Sequence, residues 1–152
     1  MSLVAMVLGF STVAAAAETQ KPHAPTVGST IRTGDVAVTL RSYRRQVTVR
    51  DSAGHSSVVA AINVEICNKG TGALPVRRDQ FFLESQDRHL FFPAATLDAP
   101  RPQLQTTPLA RHRCLRRWVS YLLPTGTRAA DVVFQAGAMF TPTLHRWTLP
   151  NP

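Results

Sequence analysis

The chain has 152 residues, a length that favours one domain with a core large enough to fold without a metal. Hydrophobic residues make up 44% and charged residues 17%, a balance that excludes an intrinsically disordered chain. The formal charge of +8 suggests an anionic partner such as nucleic acid, an envelope polymer or an acidic membrane surface, although the arginine-rich codon usage of a GC-rich genome produces the same charge.

The N-terminal stretch MSLVAMVLGFSTVAAAAETQ carries no charge before Glu18. Residues 3–13 form an apolar run of the length of a signal-peptide core, and the alanines that follow fit a small-x-small cleavage pattern. The run is shorter than the roughly 20 residues that span a bilayer, so we expect no stable membrane span after cleavage. We therefore interpret residues 1–17 as a signal peptide and the protein as secreted. Because no Lys or Arg precedes the run, a buried N-terminal strand or helix is the alternative.

The rest of the chain has the pattern of an all-β domain. Residues 18–33 are polar and contain prolines and a glycine, which predicts a flexible lead-in, and residues 34–150 form the domain. Alternating apolar residues and turn signals predict eight short strands without a convincing helix. The predicted strands are residues 35–40, 46–50, 58–67, 80–84, 88–92, 115–123, 131–135 and 144–149. Residues 93–108 hold four prolines and no periodicity, which predicts a long surface loop.

The order of three segments carries a resemblance. They are VEICNKGTGALPV (64–76), FFLESQDRHLFFP (81–93) and CLRRWVSYLLPTG (114–126), followed by VVF and LHRWTL. In this order the chain resembles the small secreted immunoglobulin-like domains of bacteria, among them the actinobacterial immunoprotective extracellular antigen family. The likeness covers about residues 34–150, with Arg117 where glycine is usual. It implies an immunoglobulin-like β-sandwich of about seven or eight antiparallel strands, and it carries over no catalytic residues.

The two cysteines, Cys67 and Cys114, allow three interpretations. In an oxidising compartment a single pair usually becomes a disulfide, and this is the outcome we expect. Neighbouring arginines could instead activate a nucleophilic thiol, and His112 with Cys114 could bind a metal, although the paired spacing of a zinc site is missing. Cys67 shares strand parity with Asn63 and Glu65, so the bridge lies off the core face unless a bulge intervenes.

The aromatic residues suggest a core and a contact surface. One of the two tryptophans, Trp118 and Trp147, is expected to pack against the disulfide as in immunoglobulin domains; a stacking platform for a base or a sugar is the alternative. The pairs at 81–82 and 91–92 place one phenylalanine on each face of a strand. The outward rings could cover the neighbouring sheet edge or form an exposed contact patch. Near the same hairpin, three carboxylates could pair with three arginines; they are Asp79, Glu84 and Asp87 with Arg77, Arg78 and Arg88.

No catalytic motif is present in the sequence. A Gly-x-Ser-x-Gly elbow is missing, the five histidines have no metal-ligand spacing, and no glycine-rich loop precedes a helix. We therefore interpret the protein as a secreted, non-catalytic extracellular interaction or envelope-associated domain without a cofactor or metal. Its partner would be an unidentified extracellular protein or envelope component. An enzyme of unknown type is the least favoured alternative.

The second hypothesis is an electrostatic binder of anionic polymer, either an envelope polymer or nucleic acid. Its weak, salt-sensitive site would be an arginine-rich surface. The candidate residues are Arg41, Arg44, Arg45, Arg111, Arg113, Arg116 and Arg117. Because adjacent strand residues point to opposite faces, we expect Arg116 and Arg117 to diverge, with one of them on the outer face and the other at a bulge or rim. We expect Arg111 and Arg113 to be exposed, and the hypothesis gains only if the seven arginines converge.

Overall fold

The computed structural model describes residues 24–50, 53–95, 99–137 and 142–150. The predicted signal peptide, residues 1–17, lies outside them. The strands are β1 (Thr30–Thr33), β2 (Val36–Arg50), β3 (Ser56–Asn68), β4 (Leu74–Val76), β5 (Phe81–Ser85), β6 (Leu90–Phe91), β7 (Thr107–Leu109), β8 (Cys114–Pro124), β9 (Ala129–Ala136) and β10 (Thr143–Thr148). A short 3-10 helix covers Arg78–Gln80. In this part of the chain, no helix is long and apolar enough to cross a membrane.

The strands form two main antiparallel sheets. The first sheet has the order β1-β2-β3-β8, the second has the order β10-β9-β5-β6, and β4 and β7 form a separate two-stranded ribbon. The inner faces of the two sheets bury a common core, which contains Leu40, Ile62, Phe81 and Val132. This arrangement confirms the predicted all-β sandwich. The predicted strands 35–40 and 46–50 are one strand, β2, whose register shifts twice.

The prediction of a flexible lead-in over residues 18–33 is wrong for its last four residues, which form β1. β1 pairs with the first residues of β2 through a hairpin at Gly34, whose φ of 52° lies in the left-handed region that favours glycine. Before β1, Thr26 forms a bridge with Thr148, and the Gly28 N–H donates to the Leu40 carbonyl at 2.7 Å. A four-residue edge strand with one large apolar residue carries too little alternation for the sequence to reveal it.

The predicted surface loop at residues 93–108 is also only partly correct. The Leu104 N–H donates to the Trp118 carbonyl at 2.7 Å, and the Trp118 N–H donates to the Pro102 carbonyl at 3.0 Å. Leu104 is fully buried in the core. The prolines prevent a regular strand, but their carbonyls still accept hydrogen bonds, so this segment covers the free edge of β8.

The disulfide is the predicted one, and it lies within one sheet. Cys67 and Cys114 are direct partners on β3 and β8, with an S–S distance of 2.03 Å and a Cα–Cα distance of 4.0 Å. They share the outer side with Asn63 and Glu65, as their strand parity predicts. In antibody domains the conserved bridge joins the two sheets beside a core tryptophan. Here Trp147 is the fully buried tryptophan and contacts Phe134, so the expected pairing of tryptophan and disulfide is wrong.

The tripeptide Asn68-Lys69-Gly70 is held in place by hydrogen bonds of the Asn68 side chain. The buried Asn68 side chain donates to the carbonyls of Gly72 at 2.7 Å and Leu109 at 2.9 Å, and its Oδ1 accepts from the Gly70 N–H at 2.9 Å. One side chain therefore closes the turn after β3 and ties that turn to β7. These hydrogen bonds explain why an asparagine followed by a glycine ends this strand.

Candidate functional site

Three of the seven candidate arginines share the outer face of the first sheet. The Arg41 Nη2 lies 2.7 Å from Glu65 Oε1, and the Arg116 Nε donates to Asn63 Oδ1 at 2.6 Å. The Arg44 guanidinium stacks 5.0 Å from the centre of the Trp118 ring. We call Arg41, Arg44, Arg116 and Trp118 the arginine face.

The arginine face covers small residues of the central strand. Ala61 and Asn63 point outward on β3, yet both are buried. Their neighbours across the sheet include Arg44 on β2 and Trp118 on β8, whose long side chains lie over the space between these strands. The arginines of this face therefore pack against the protein as well as facing solvent.

The other four candidates lie elsewhere. Arg45 is exposed and pairs with Ala60, a core residue, so it points away from the arginine face. Arg111 and Arg113 are exposed in the turn before β8, as expected, and the Arg113 N–H donates to the Ala110 carbonyl at 3.2 Å. Arg117 falls on the core side of β8, near the end of the sandwich. The seven arginines do not form one patch, which weakens the polymer-binding hypothesis.

Arg117 lines a polar pocket of about 180 Å³. The other lining residues are Gln103, Gln105 and Thr107 from the segment along β8, and Leu115 from β8 itself. The β3–β8 register contains no shift, so Arg117 reaches this position by ordinary strand alternation. We call this site the Arg117 pocket. Its position agrees with the prediction that one of Arg116 and Arg117 lies on the outer face and the other at the rim.

A groove of about 360 Å³ opens at one end of the sandwich. Val36, Leu74, Pro75 and Phe134 supply much of its wall, and Gln80 and Thr33 supply its polar side chains. These lining residues include no acid, base or cysteine. Elsewhere in the described ranges, no three His, Cys, Asp or Glu side chains are grouped to hold a metal ion.

The second sheet has an apolar outer face. Phe82 and Val133 are direct partners on β5 and β9, and the exposed Phe92 contacts Phe82 edge-to-face with the ring centres 5.2 Å apart. Leu90 lies beside Phe92 at one edge, and Leu144 lies at the opposite edge on β10. The exposed fractions are 66% for Phe92, 48% for Leu90 and 50% for Leu144. We call these five residues the apolar face. Phe92 is exposed, as a contact patch requires, whereas Phe82 is buried against it.

A buried carboxylate fixes the middle of this face. Glu84 Oε2 lies 2.9 Å from Arg146 Nη2, and Glu84 Oε1 lies 2.7 Å from Arg88 Nη1. The Glu84–Arg88 pair is one of those that the sequence allowed near the hairpin, as is the pair of Arg77 and Asp79 at 3.2 Å. Arg146 is on β10 and Glu84 is on β5, with β9 between them. The Arg146 side chain therefore crosses Val133, its direct partner on β9, and helps to bury it. The sequence offered no signal for this longer-range pair.

The fold is similar to solved bacterial structures. The yjhA protein of Bacillus subtilis matches with a TM-score of 0.67 and 15% identity, covering 83% of this chain and 99% of its own. The secreted protein MPT63 of Mycobacterium tuberculosis matches with a TM-score of 0.61 and 12% identity, covering 86% and 99%. A functionally unknown protein of Listeria monocytogenes matches with a TM-score of 0.61 and 8% identity, covering 84% of each chain.

These comparisons confirm the immunoglobulin-like sandwich. At such identities they establish the fold, and membership of the immunoprotective antigen family stays a prediction. No family model matches the chain. No curated protein matches it either.

Proposed function

We propose that this chain is a secreted, non-catalytic domain that binds another protein of the cell envelope through its apolar face. The observation that carries the proposal is the exposure of Phe92, Leu90 and Leu144 on one sheet. Phe92 and Leu90 are grouped at one edge, and grouped large apolar side chains mark contact sites more often than scattered ones do. Leu144 lies at the opposite edge, beyond the ion pair of Glu84 and Arg146. Aromatic side chains such as Phe92 are also enriched in the cores of interfaces.

Charge favours a different protein over a second copy. Two copies of a chain with a formal charge of +8 repel each other at low salt. A protein with a neutral or acidic surface would approach without that repulsion. A four-stranded face is about 20 Å wide, at about 4.8 Å between strands, which suits a small or transient interface.

The test compares matched surface variants. Leu90→Ser, Phe92→Ser and Leu144→Ser together remove the apolar face, and Leu122→Ser is the control because Leu122 is 42% exposed on the outer side of the first sheet. Each purified protein is used to capture partners from an envelope extract at low and physiological salt. We expect the triple variant to lose partners that wild type and Leu122→Ser retain. Thermal unfolding should show all the proteins folded.

Two outcomes would contradict the proposal. If the triple variant and wild type capture the same proteins, the apolar face is not the binding surface. If wild type sediments as a dimer and the triple variant as a monomer, a second copy covers the face instead.

Secretion is proposed from the N-terminal pattern and has a separate test. We expect the protein recovered from culture medium to lack residues 1–17 by intact mass. A mass that includes those residues would contradict cleavage at this site.

We propose weak binding of an anionic polymer as a second function, supported by the shared face of Arg44 and Arg116. Arg41 adds little charge because Glu65 neutralises it. Titration with a labelled polyanion should show binding that falls steeply between low and physiological salt and that Arg44→Gln with Arg116→Gln reduces. Binding that survives physiological salt would show a stronger site than this face offers.

A further inference from the structure

The Arg117 pocket differs from the arginine face in both position and chemistry. On β8, the side chains of Val119, Tyr121 and Leu123 are buried in the core, and Arg117 and Leu115 continue the same side of the strand beyond it. A half-buried arginine therefore lies where the core ends, with its Nη1 exposed. Its N–H donors must find acceptors in the protein, in water or in a ligand.

The protein supplies few of these acceptors. The Arg117 Nη1 donates to the carbonyl of Arg116 at 2.8 Å. No described carboxylate forms a salt bridge with Arg117, whereas Arg41, Arg88 and Arg146 each have one. The pocket lining contains no acidic residue. Since a guanidinium carries five N–H donors, most of those of Arg117 have no protein partner in the described structure.

The opposite wall is polar and held in place. The Leu104 N–H donates to the Trp118 carbonyl and the Trp118 N–H donates to the Pro102 carbonyl across the edge of β8, and Thr107 begins the strand that pairs with β4. The side chains of Gln105 and Thr107 line the same space as Arg117, with Leu115 as its apolar component. Gln103 also lines this space, but its Nε2 already donates to Ser120 Oγ at 2.9 Å and to the Pro100 carbonyl, which fixes its amide. The volume of about 180 Å³ is well above the ~30 Å³ of one water molecule.

We propose that the Arg117 pocket binds the carboxylate of a sugar acid, such as a uronic acid unit of an anionic polysaccharide. The guanidinium pairs with the carboxylate, since two parallel N–H donors match its two oxygens. The Gln105 amide and the Thr107 hydroxyl hydrogen-bond the ring hydroxyls, and Leu115 contacts the C–H face of the ring. This site is separate from the apolar face, so either proposal can fail without the other.

The experiment titrates the folded domain with three probes by calorimetry or NMR. The probes are digalacturonate, its neutral methyl ester and acetate. The variant is Arg117→Gln, and the control is Arg116→Gln, the adjacent residue on the opposite side of β8. Thermal unfolding shows whether each variant is folded.

We expect Arg117→Gln, and equally the methyl ester, to weaken binding about tenfold or more, because a hydrogen-bonded charge contributes about 1.5–3 kcal/mol. Arg116→Gln should change the affinity less than about threefold. The proposal is overturned if digalacturonate does not bind, if acetate binds as well as digalacturonate, or if Arg116→Gln weakens binding as much as Arg117→Gln. The last result would mean diffuse attraction to a basic surface.

Discussion

Gly70 is the position where one methyl group should disturb the fold most clearly. A Cβ built on Gly70 would lie 2.6 Å from Asp35 Oδ2, 2.7 Å from Asp35 Cγ and 2.8 Å from Asp35 Cβ. Rotation of the Asp35 side chain can remove the first two contacts. It cannot move the Asp35 Cβ, which is fixed to a backbone whose carbonyl accepts from the Lys69 N–H at 2.7 Å.

Gly70→Ala must therefore push the turn after β3 away from the β1–β2 hairpin. Overpacking of this kind costs about 1–3 kcal/mol of unfolding free energy. Gly72→Ala is the matched control in the same turn, because an added Cβ there meets no atom within 4 Å. We expect the control to change the unfolding free energy by less than about 0.5 kcal/mol.

Urea unfolding followed by circular dichroism measures both effects. Asp35→Gly removes all three contacted atoms, so Gly70→Ala should cost much less in that background than in wild type. Equal costs for the two alanine variants would refute the steric reasoning. An undiminished cost of Gly70→Ala beside Asp35→Gly would refute it as well.

Three further predictions concern buried or cross-linked groups. Replacing Cys67 and Cys114 by Ala should lower the unfolding free energy by about 4 kcal/mol for a sequence separation of 47, and thiol labelling of the native protein should find no free thiol before reduction. Glu84→Gln should lower the unfolding free energy measured in urea by about 3 kcal/mol, because Glu84 is buried between two guanidiniums. Replacing Arg88 should lower it by less than about 1 kcal/mol, because the Arg88 side chain is 70% exposed. Burial raises the pKa of Tyr121 well above its ordinary value. The neutral phenol therefore stabilises the folded state fully at a pH below the pKa of the unfolded chain, and this stabilisation is lost as the pH rises through the pKa of the folded state. Alkaline unfolding monitored by circular dichroism should shift to higher pH in Tyr121→Phe, and an unchanged midpoint would contradict the assignment.

The sequence predicted the elements whose pattern is local. β3 alternates over residues 62–66, β8 and β9 are short apolar segments next to turn residues, and the hairpin at residues 81–91 has turn residues between apolar runs. The outward position of Cys67 followed from the same alternation. The short strands β1, β4 and β7 were missed because they exist through partners distant in the chain, and three or four residues hold too little pattern.

The candidate site was predictable only in part, for the same physical reason. The divergence of Arg116 and Arg117 follows from their adjacency on one strand. The burial of Glu84 by Arg146 requires the order of three strands, and the Arg117 pocket requires the path of a proline-rich segment along β8. Neither can be derived from residue spacing, because each joins segments that are brought together by the completed sandwich.

The arginine face itself depends on an irregularity in β2. Strict alternation would place Arg41 and Arg44, three positions apart, on opposite faces of the sheet. The register shift between Leu40 and Ser42 inserts one residue, so Leu40 still faces the core opposite Val64 while Arg44 pairs with the outward Ala61. Arg41 reaches Glu65 on this same outer side. A single extra residue therefore brings two cations onto one surface, which gives this bulge a role in the surface chemistry as well as in the shape of the sheet.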